Sequence, residues 1–369
     1  MKYYIIAGER SGDLHGSNLI KELRKKDPDA QIRGWGGDMM QEAGMDLVKH
    51  YQEMAFMGFA EVLKNAFKIL GFISECKEDI KKYQPDVVIL IDYAGFNMRI
   101  ARFAKKRGIK VYYYISPKIW AWNQGRVHGI KKAVDRMFVI MPFEEDFYSR
   151  FDYKVDYVGN PVNDSVTDHL ANPDFRIKNK LNNKPIVAIL PGSREQEIEN
   201  MLHIMLQVLP SFRDYQFVVA GVSTFSEEYY KQHNKDANIK IVYDQTYDLL
   251  ANSQAALVTS GTATLETALF NVPQVVCYKT SSISYAIGKR VIKVPYISLV
   301  NLIADKQVVT ELIQDELTSK RIVAELKSLL FDKSFIKRQK DGYASVRQKI
   351  GEYRTAERAA ELMVGYLKG

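Results

Sequence analysis

Two short stretches of this chain carry residue types suited to holding a phosphate. The denser is Thr259-Ser260-Gly261-Thr262-Ala263-Thr264-Leu265-Glu266, which follows an apolar run and opens a helical pattern. Ser260, Gly261, Thr262 and Ala263 form a hydroxyl-rich loop with the free N–H groups of a helix start behind it, able to donate several hydrogen bonds to phosphate oxygens. Glu266 lies about one turn into the helix, where a carboxylate accepts from a ribose diol. A Ser/Thr capping motif closed by Glu266 is the competing structural reading. The second stretch, Leu190-Pro191-Gly192-Ser193-Arg194, also joins an apolar run to a helix. Gly192 lets backbone approach a ligand, Ser193 and the helix start supply donors, and Arg194 adds a forked cation, which together suit a pyrophosphate. An ordinary capped turn with a surface arginine competes with it.

Proton chemistry points to Asp92, in Ile91-Asp92-Tyr93-Ala94-Gly95-Phe96-Asn97. A carboxylate at a strand end, partly withdrawn from water, suits a base that takes a hydroxyl proton as a new bond forms. Capping the next helix is the alternative. Gly8-Glu9-Arg10-Ser11-Gly12-Asp13 opens the chain's first βα turn. It lacks the G-x-G-x-x-G spacing and the acidic residue expected of a nicotinamide site, so Glu9, Ser11, Gly12 and Asp13 fit sugar hydroxyls better, with a structural turn as the competing reading. Asp27-Pro28-Asp29 matches a metal-holding D-x-D by letter, but its place in a proline turn after Arg24-Lys25-Lys26 makes it structural. No metal and no cofactor are expected.

The elements that position these residues alternate. Short apolar runs at Tyr3–Ala7, Val87–Ile91, Val111–Ile115 and Arg136–Ile140 are each followed by a polar loop and a helical pattern. The alternation breaks between Asn160 and Pro185, then restarts at Ile186–Leu190, Phe217–Ala220, Ile239–Val242, Ala255–Val258 and Val275–Cys277. The fold class is therefore α/β, two Rossmann-like domains with the site expected in the cleft between them and a helical C-terminal segment. The expected boundaries are 1–160, a linker over 161–185, 186–330, and a helical segment over 331–369 that crosses back or is exchanged in a dimer. A length of 369 residues fits two domains.

Composition limits the setting. Net charge is +8, which calls for an anionic partner: nucleic acid, an acidic membrane face or a phosphorylated substrate. Two unrelated cysteines, Cys76 and Cys277, fit a reducing compartment, and the six histidines show no metal-ligand spacing. The apolar start, Met1 to Ala7, is too short for a signal peptide, so a cytoplasmic chain is expected.

Met54 to Ile73 reads MAFMGFAEVLKNAFKILGFI. On a helix, Phe59, Val62, Leu63, Ala66, Phe67, Leu70 and Ile73 share a stripe flanked by Lys64 and Lys68, a pattern that suits an anionic membrane face or a buried helix. Trp120 and Trp122, in Ser116-Pro117-Lys118-Ile119-Trp120-Ala121-Trp122, suit acyl or sugar contacts at such an interface, or simply pack.

Taken in order, these motifs resemble the lipid-A-disaccharide synthase family over almost the whole chain. The resemblance rests on GERSGD at 8–13, GWGGDMMQEAG at 34–44, MGFAEVL at 57–63, IDYAGFN at 91–97, SPKIWAW at 116–122, LPGSR at 190–194, SGTATLE at 260–266 and YISLVNL at 296–302. It implies an inverting, metal-independent glycosyltransferase of GT-B architecture. The implied donor is UDP-diacylglucosamine and the implied acceptor is lipid X, a diacylglucosamine 1-phosphate, with no nucleic acid partner. By position, Asp92 matches the family's proposed base, and Arg194, the Ser260–Glu266 loop and Asn301 fall where UDP is held. The family further implies peripheral attachment to the cytoplasmic face of the inner membrane, and a homodimer with exchanged C-terminal segments. Three residues depart from its pattern: Arg10 stands at a usually small position, Asn160 replaces the histidine of a Gly-His-Pro turn, and Val300 replaces a proline. A UDP-sugar epimerase, and an N-acetylglucosamine transferase acting on a peptidoglycan lipid precursor, are the competing functions.

Overall fold

Fully apolar runs of about five residues become central strands because both of their faces are covered by helices. The computed structural model describes residues 1–54, 66–233 and 239–369, and these divide into two compact units, Met1–Pro161 with Glu352–Gly369, and Val162–Gly351.

The first unit is built on β1 (Lys2–Ala7), β2 (Gln31–Gly36), β3 (Asp46–His50), β4 (Val87–Ile91), β5 (Lys110–Tyr114), β6 (Arg136–Val139) and β7 (Asp156–Tyr157). They form one parallel sheet in the order β3-β2-β1-β4-β5-β6-β7. Tyr3–Ala7 and Val87–Ile91 are completely buried. The order reverses between β1 and β4, and ligands of such sheets bind outside the strand ends at that switch.

The second unit repeats the plan with β8 (Ile186–Leu190), β9 (Gln216–Gly221), β10 (Lys240–Tyr243), β11 (Ser253–Thr259), β12 (Gln274–Tyr278) and β13 (Thr310–Ile313). Its parallel order is β10-β9-β8-β11-β12-β13, with the switch between β8 and β11.

Two boundaries differ from the sequence reading. Residues 162–185, expected as a linker, belong to the second unit, because Phe175 is 1% exposed in its core and His169 Nε2 lies 3.1 Å from Asp248 Oδ1. The helical end is not one segment. Helix Lys333–Ile350 stays with the second unit, where Gln339 and the Gln274 backbone exchange hydrogen bonds of 2.7 and 3.0 Å. The last helix, Thr355–Lys368, returns to the first unit and buries Ala359, Ala360, Met363 and Val364 beside Leu19, Ile20 and Leu23.

Candidate active site

At the switch point of the first sheet, three loops leave neighbouring strands. Gly8-Glu9 follows β1, Asp92-Tyr93 follows β4, and Ile115 to Lys118 follows β5. Gly8 is required by close approach: a Cβ there would fall 2.3 Å from the Tyr93 ring. Asp92 and Tyr93 both adopt left-handed backbone, with φ of 44° and 45°. Such backbone costs about 1–3 kcal/mol per residue and persists only where neighbours hold it. Asn97 Nδ2 donates to the carbonyls of Ile91 at 3.1 Å and Asp92 at 2.8 Å, and the Tyr113 hydroxyl also donates to the Asp92 carbonyl.

The Asp92 carboxyl is raised above the usual aspartate range, first by burial and then by the like charge of Glu9, while Lys118 opposes the shift. The following helix, Ala94–Lys106, has Tyr93 at its N-cap and no side-chain cap, so Asp92 is not spent on capping it. The arrangement gives a strained, partly desolvated carboxylate with one anion and one cation near it.

The other residues expected on this side divide. Glu9 and Ser11 are exposed and bonded to each other, Ser11 Oγ donating to Glu9 Oε1 at 2.5 Å. Helix Arg10–Lys26 starts at Arg10, so of the Gly8–Asp13 turn only Gly8 and Glu9 precede the helix. Gly12 is buried against Ala7. Asp13 is a correction: it is 2% exposed and its carboxylate accepts from the amides of Gly37, Met39 and Met40 at 2.8, 3.2 and 3.1 Å. It anchors the start of helix Asp38–Glu42 and, being buried, is not open to a sugar.

Trp120 is also corrected, since it is 6% exposed and packs edge-on against Phe143 at 4.9 Å. Trp122, in the same short helix, is half-exposed beneath the Arg126 guanidinium. Glu144, which the sequence did not flag, is completely buried beside this helix; it accepts from the amides of Ile140 and Met141, and burial pushes its carboxyl up to about 7. Phe59 lies outside the described residues, and Phe67 falls in the first turn of helix Ala66–Tyr83. Further along the expected stripe, Leu70 is exposed but Ile73 is core.

At the switch point of the second sheet, the two expected anion loops leave strands paired to each other, with Leu190 of β8 opposite Val258 of β11. Gly192 has φ of 106°, and a Cβ there would meet Glu197 Oε2 at 2.4 Å, so no other residue fits. That same oxygen accepts from the amides of Ser193 at 3.0 Å and Arg194 at 3.3 Å. The cradle expected of these amides is therefore filled by the chain's own carboxylate. What remains for a ligand is the Arg194 guanidinium, whose side chain is 83% exposed and only 3.5 Å from Glu197 Oε1.

The second loop keeps more of its donors. Ser260 Oγ is used internally, donating to the Ile297 carbonyl at 2.8 Å, and Thr264 Oγ1 donates to Gly261. Gly261 and Thr262 are exposed and Ala263 is half-buried, at the start of helix Thr262–Leu269. Glu266 is half-buried and accepts from the Tyr247 hydroxyl at 3.0 Å; burial raises its carboxyl and that hydrogen bond opposes the shift.

Asn301 is the clearest correction on this side. It is completely buried, its Nδ2 donates to the Val309 carbonyl and Glu311 Oε1, and its Oδ1 accepts from the amides of Val308 and Val309. Every hydrogen-bonding position of the amide is used. Glu311, unremarked in the sequence, gathers the amides of Ile297 and Ser298, the Ser298 hydroxyl and Asn301 Nδ2. It thus fixes the segment whose Ile297 carbonyl holds Ser260.

The remaining motifs are structural. Asp27 Oδ2 is bound by the N-terminal ammonium and the Tyr3 hydroxyl, each at 3.0 Å. Asn160 is completely buried and donates to the Ile140 carbonyl at 3.0 Å. Among the described residues, no helix is long and apolar enough to cross a membrane.

Two parallel sheets of matching order, the first with one further edge strand, each with its polar loops at the switch point, define a chain of the GT-B class with two Rossmann-like domains. The fold is similar to a UDP-GlcNAc 2-epimerase from Neisseria meningitidis bound to UDP-GlcNAc (TM-score 0.66, 14% identity, 100% of both chains). It is similar also to the calicheamicin glycosyltransferase (TM-score 0.63, 14% identity, 100% of this chain and 98% of that one). In sequence, the family described as lipid-A-disaccharide synthetase matches residues 3–363. The lipid-A-disaccharide synthase of Geobacter metallireducens is 39% identical over 98% of this chain and 96% of its own. That of Syntrophus aciditrophicus is 39% identical over 99% and 97%. The chain belongs to the lipid-A-disaccharide synthetase family and is a glycosyltransferase of lipid A biosynthesis.

Proposed function

We propose that the chain transfers diacylglucosamine from UDP-diacylglucosamine to lipid X by a single inverting displacement. The observation that carries the reading is the Asp92 carboxylate, strained, partly buried and raised in pKa at a sheet switch point in a chain of this family. Asp92 takes the acceptor hydroxyl proton while that oxygen bonds the anomeric carbon. The bond from that carbon to the UDP oxygen breaks, and UDP leaves with the electron pair. The developing charge on the diphosphate meets Arg194 and the helix start at Thr262 and Ala263, with no metal in the step. Glu266 takes the ribose diol through the oxygen not engaged by Tyr247. Glu9 and Ser11 face the acceptor sugar.

We place the enzyme as a peripheral protein on the cytoplasmic face of the inner membrane, docked through the apolar segment that includes Phe59 and Phe67, and assembled as a homodimer. Replacing both phenylalanines by serine is expected to reduce vesicle association; unfolding instead would make that stripe core. The deciding assay supplies radiolabelled lipid X with UDP-diacylglucosamine and looks for a disaccharide. Conversion of the donor with no acceptor present would favour an epimerase and overturn the transferase reading.

A further inference from the structure

Helix Ser282–Val291 follows β12 and contains no buried residue. Ile283, Ile287 and Val291 recur every fourth position and so share one face, with 76%, 59% and 39% of their surfaces exposed. Ile292, at 46%, continues the apolar surface just past the helix end. A helix of 10 residues gains too little from its own hydrogen bonds to persist in water, and a packed face ordinarily supplies the rest. Here only Tyr285 and Gly288 are partly covered, and Ile283, Ile287 and Val291 lie outside that cover. Its local stabilisation is a single N-cap, the Ser281 hydroxyl accepting from the Ser284 amide at 3.2 Å.

Charge identifies what covers this ridge. From Lys279 to Ala304 the chain carries Lys279, Lys289, Arg290 and Lys293 and not one Asp or Glu. Lys289, Arg290 and Lys293 are exposed, and none of them makes an ion pair among the described residues. Arg290 falls two turns on from Ile283 and therefore flanks the apolar face. Lys289 falls on the opposite side of the helix, but Arg290 beside the ridge and Lys293 just past its end, with no acid in the segment, match a surface that is apolar below and anionic above. That is the boundary between headgroups and acyl chains of an acidic bilayer.

We propose that helix Ser282–Val291 is a membrane-docking element, with Ile283, Ile287 and Val291 seated at the acyl boundary and Arg290 and Lys293 on lipid phosphates. It lies in the unit that carries Arg194, and so adds a second lipid-facing surface to the one already assigned to the other unit. The inference extends the reading of a membrane-docked lipid transferase, and it is measured without turnover.

The test is sedimentation of the full chain with vesicles of equal parts phosphatidylglycerol and phosphatidylethanolamine, against vesicles of phosphatidylcholine alone. The wild type should bind the anionic vesicles preferentially and release them in high salt. Ile283→Gln with Ile287→Gln should weaken that binding at least about tenfold, the equivalent of partly withdrawing two isoleucines from water. Arg290→Gln with Lys293→Gln should weaken it about fivefold per charge at low salt and leave binding unchanged at high salt. Both variants should keep the wild-type melting temperature, because these side chains support no core, and should keep turnover on substrates dispersed in detergent. Unchanged vesicle binding in both variants would overturn the proposal. So would a wild-type dimer that the isoleucine variant splits without loss of vesicle binding, since the face would then cover a second copy. A wild type that binds vesicles through this helix yet makes no disaccharide in detergent would sink the transferase reading and leave the docking surface standing.

Discussion

Asn301 separates a residue that touches UDP from one that shapes the loop beneath it. Asn301→Ala removes two donated and two accepted hydrogen bonds from a completely buried position. Glu311 retains the Ile297 and Ser298 amides and the Ser298 hydroxyl, so its carboxylate stays paired. The amides of Val308 and Val309 lose their acceptor, and stranding a buried donor costs about 1–3 kcal/mol each. With a small cavity added, the expected loss is about 3–5 kcal/mol of stability. Urea denaturation of the full chain measures it, and UDP titration of the folded fraction gives the second readout. The reasoning here predicts a large stability loss, with UDP affinity falling only modestly through the displaced Ile297 carbonyl and Ser260. A variant of wild-type stability with at least tenfold weaker UDP binding would refute it, because Asn301 would then be a ligand contact.

Asp92→Asn should lower kcat by about 100- to 10,000-fold, the usual range for loss of a general base, and leave UDP affinity unchanged in a binding titration; wild-type turnover would remove it as base. Glu9→Gln is expected to move the acid limb of the kcat/KM profile to lower pH. The sign follows from the base acting only when deprotonated: Glu9 helps raise the Asp92 carboxyl, so losing its charge lets Asp92 ionise sooner. A limb that stays in place would remove that coupling. Arg194→Ala should weaken UDP binding by about 1.5–3 kcal/mol, the value of hydrogen bonds to a charged group, with folding unaffected because the side chain is 83% exposed; calorimetry showing equal affinity would rule the contact out.

The parts of the fold that could be read in sequence are those where the physics is local. β1, β4, β8, β11 and β12 announce themselves because a strand covered on both faces must be apolar throughout. β3 is half-buried where it is not exposed, and both it and β13 lie at sheet edges, so neither carries a run that stands out. β2 was hidden by Arg33, a charge tolerated there because Asp79 and Asp46 pair with it. The return of the last helix to the first unit turns on Gly351, which ends helix Lys333–Ile350 with φ of 73°. A glycine after a helix is a recognised stop signal, so that break is legible within a Lys/Arg/Glu-rich helical pattern.

The site shows where letters stop being informative. Motif and position bring Gly8-Glu9 and Asp92 to one switch point and the loops after Leu190 and Thr259 to the other, since each follows a central strand. They do not report whether a polar side chain is already spent. Asp13, Ser260 and Asn301 look like ligand groups in sequence, and each proves to be holding backbone. Glu197 is the reverse case: it looks like a surface helix residue, yet it caps the very amides expected to meet phosphate. Its spacing after Arg194 fits the third helical position of a capping box, so that signal was present in the sequence. Because Glu197 already neutralises those amides, the phosphate recognition proposed for this loop would fall to the guanidinium of Arg194. A carboxylate standing behind that guanidinium costs it some affinity for phosphate. It also keeps the Gly192 turn closed and the cation in place before any ligand arrives. The same logic governs Asp92. Its raised pKa comes from burial beside Glu9, and its strained backbone is held by Asn97 and Tyr113. In both units the group left for chemistry is the one whose neighbours have their hydrogen bonds already made.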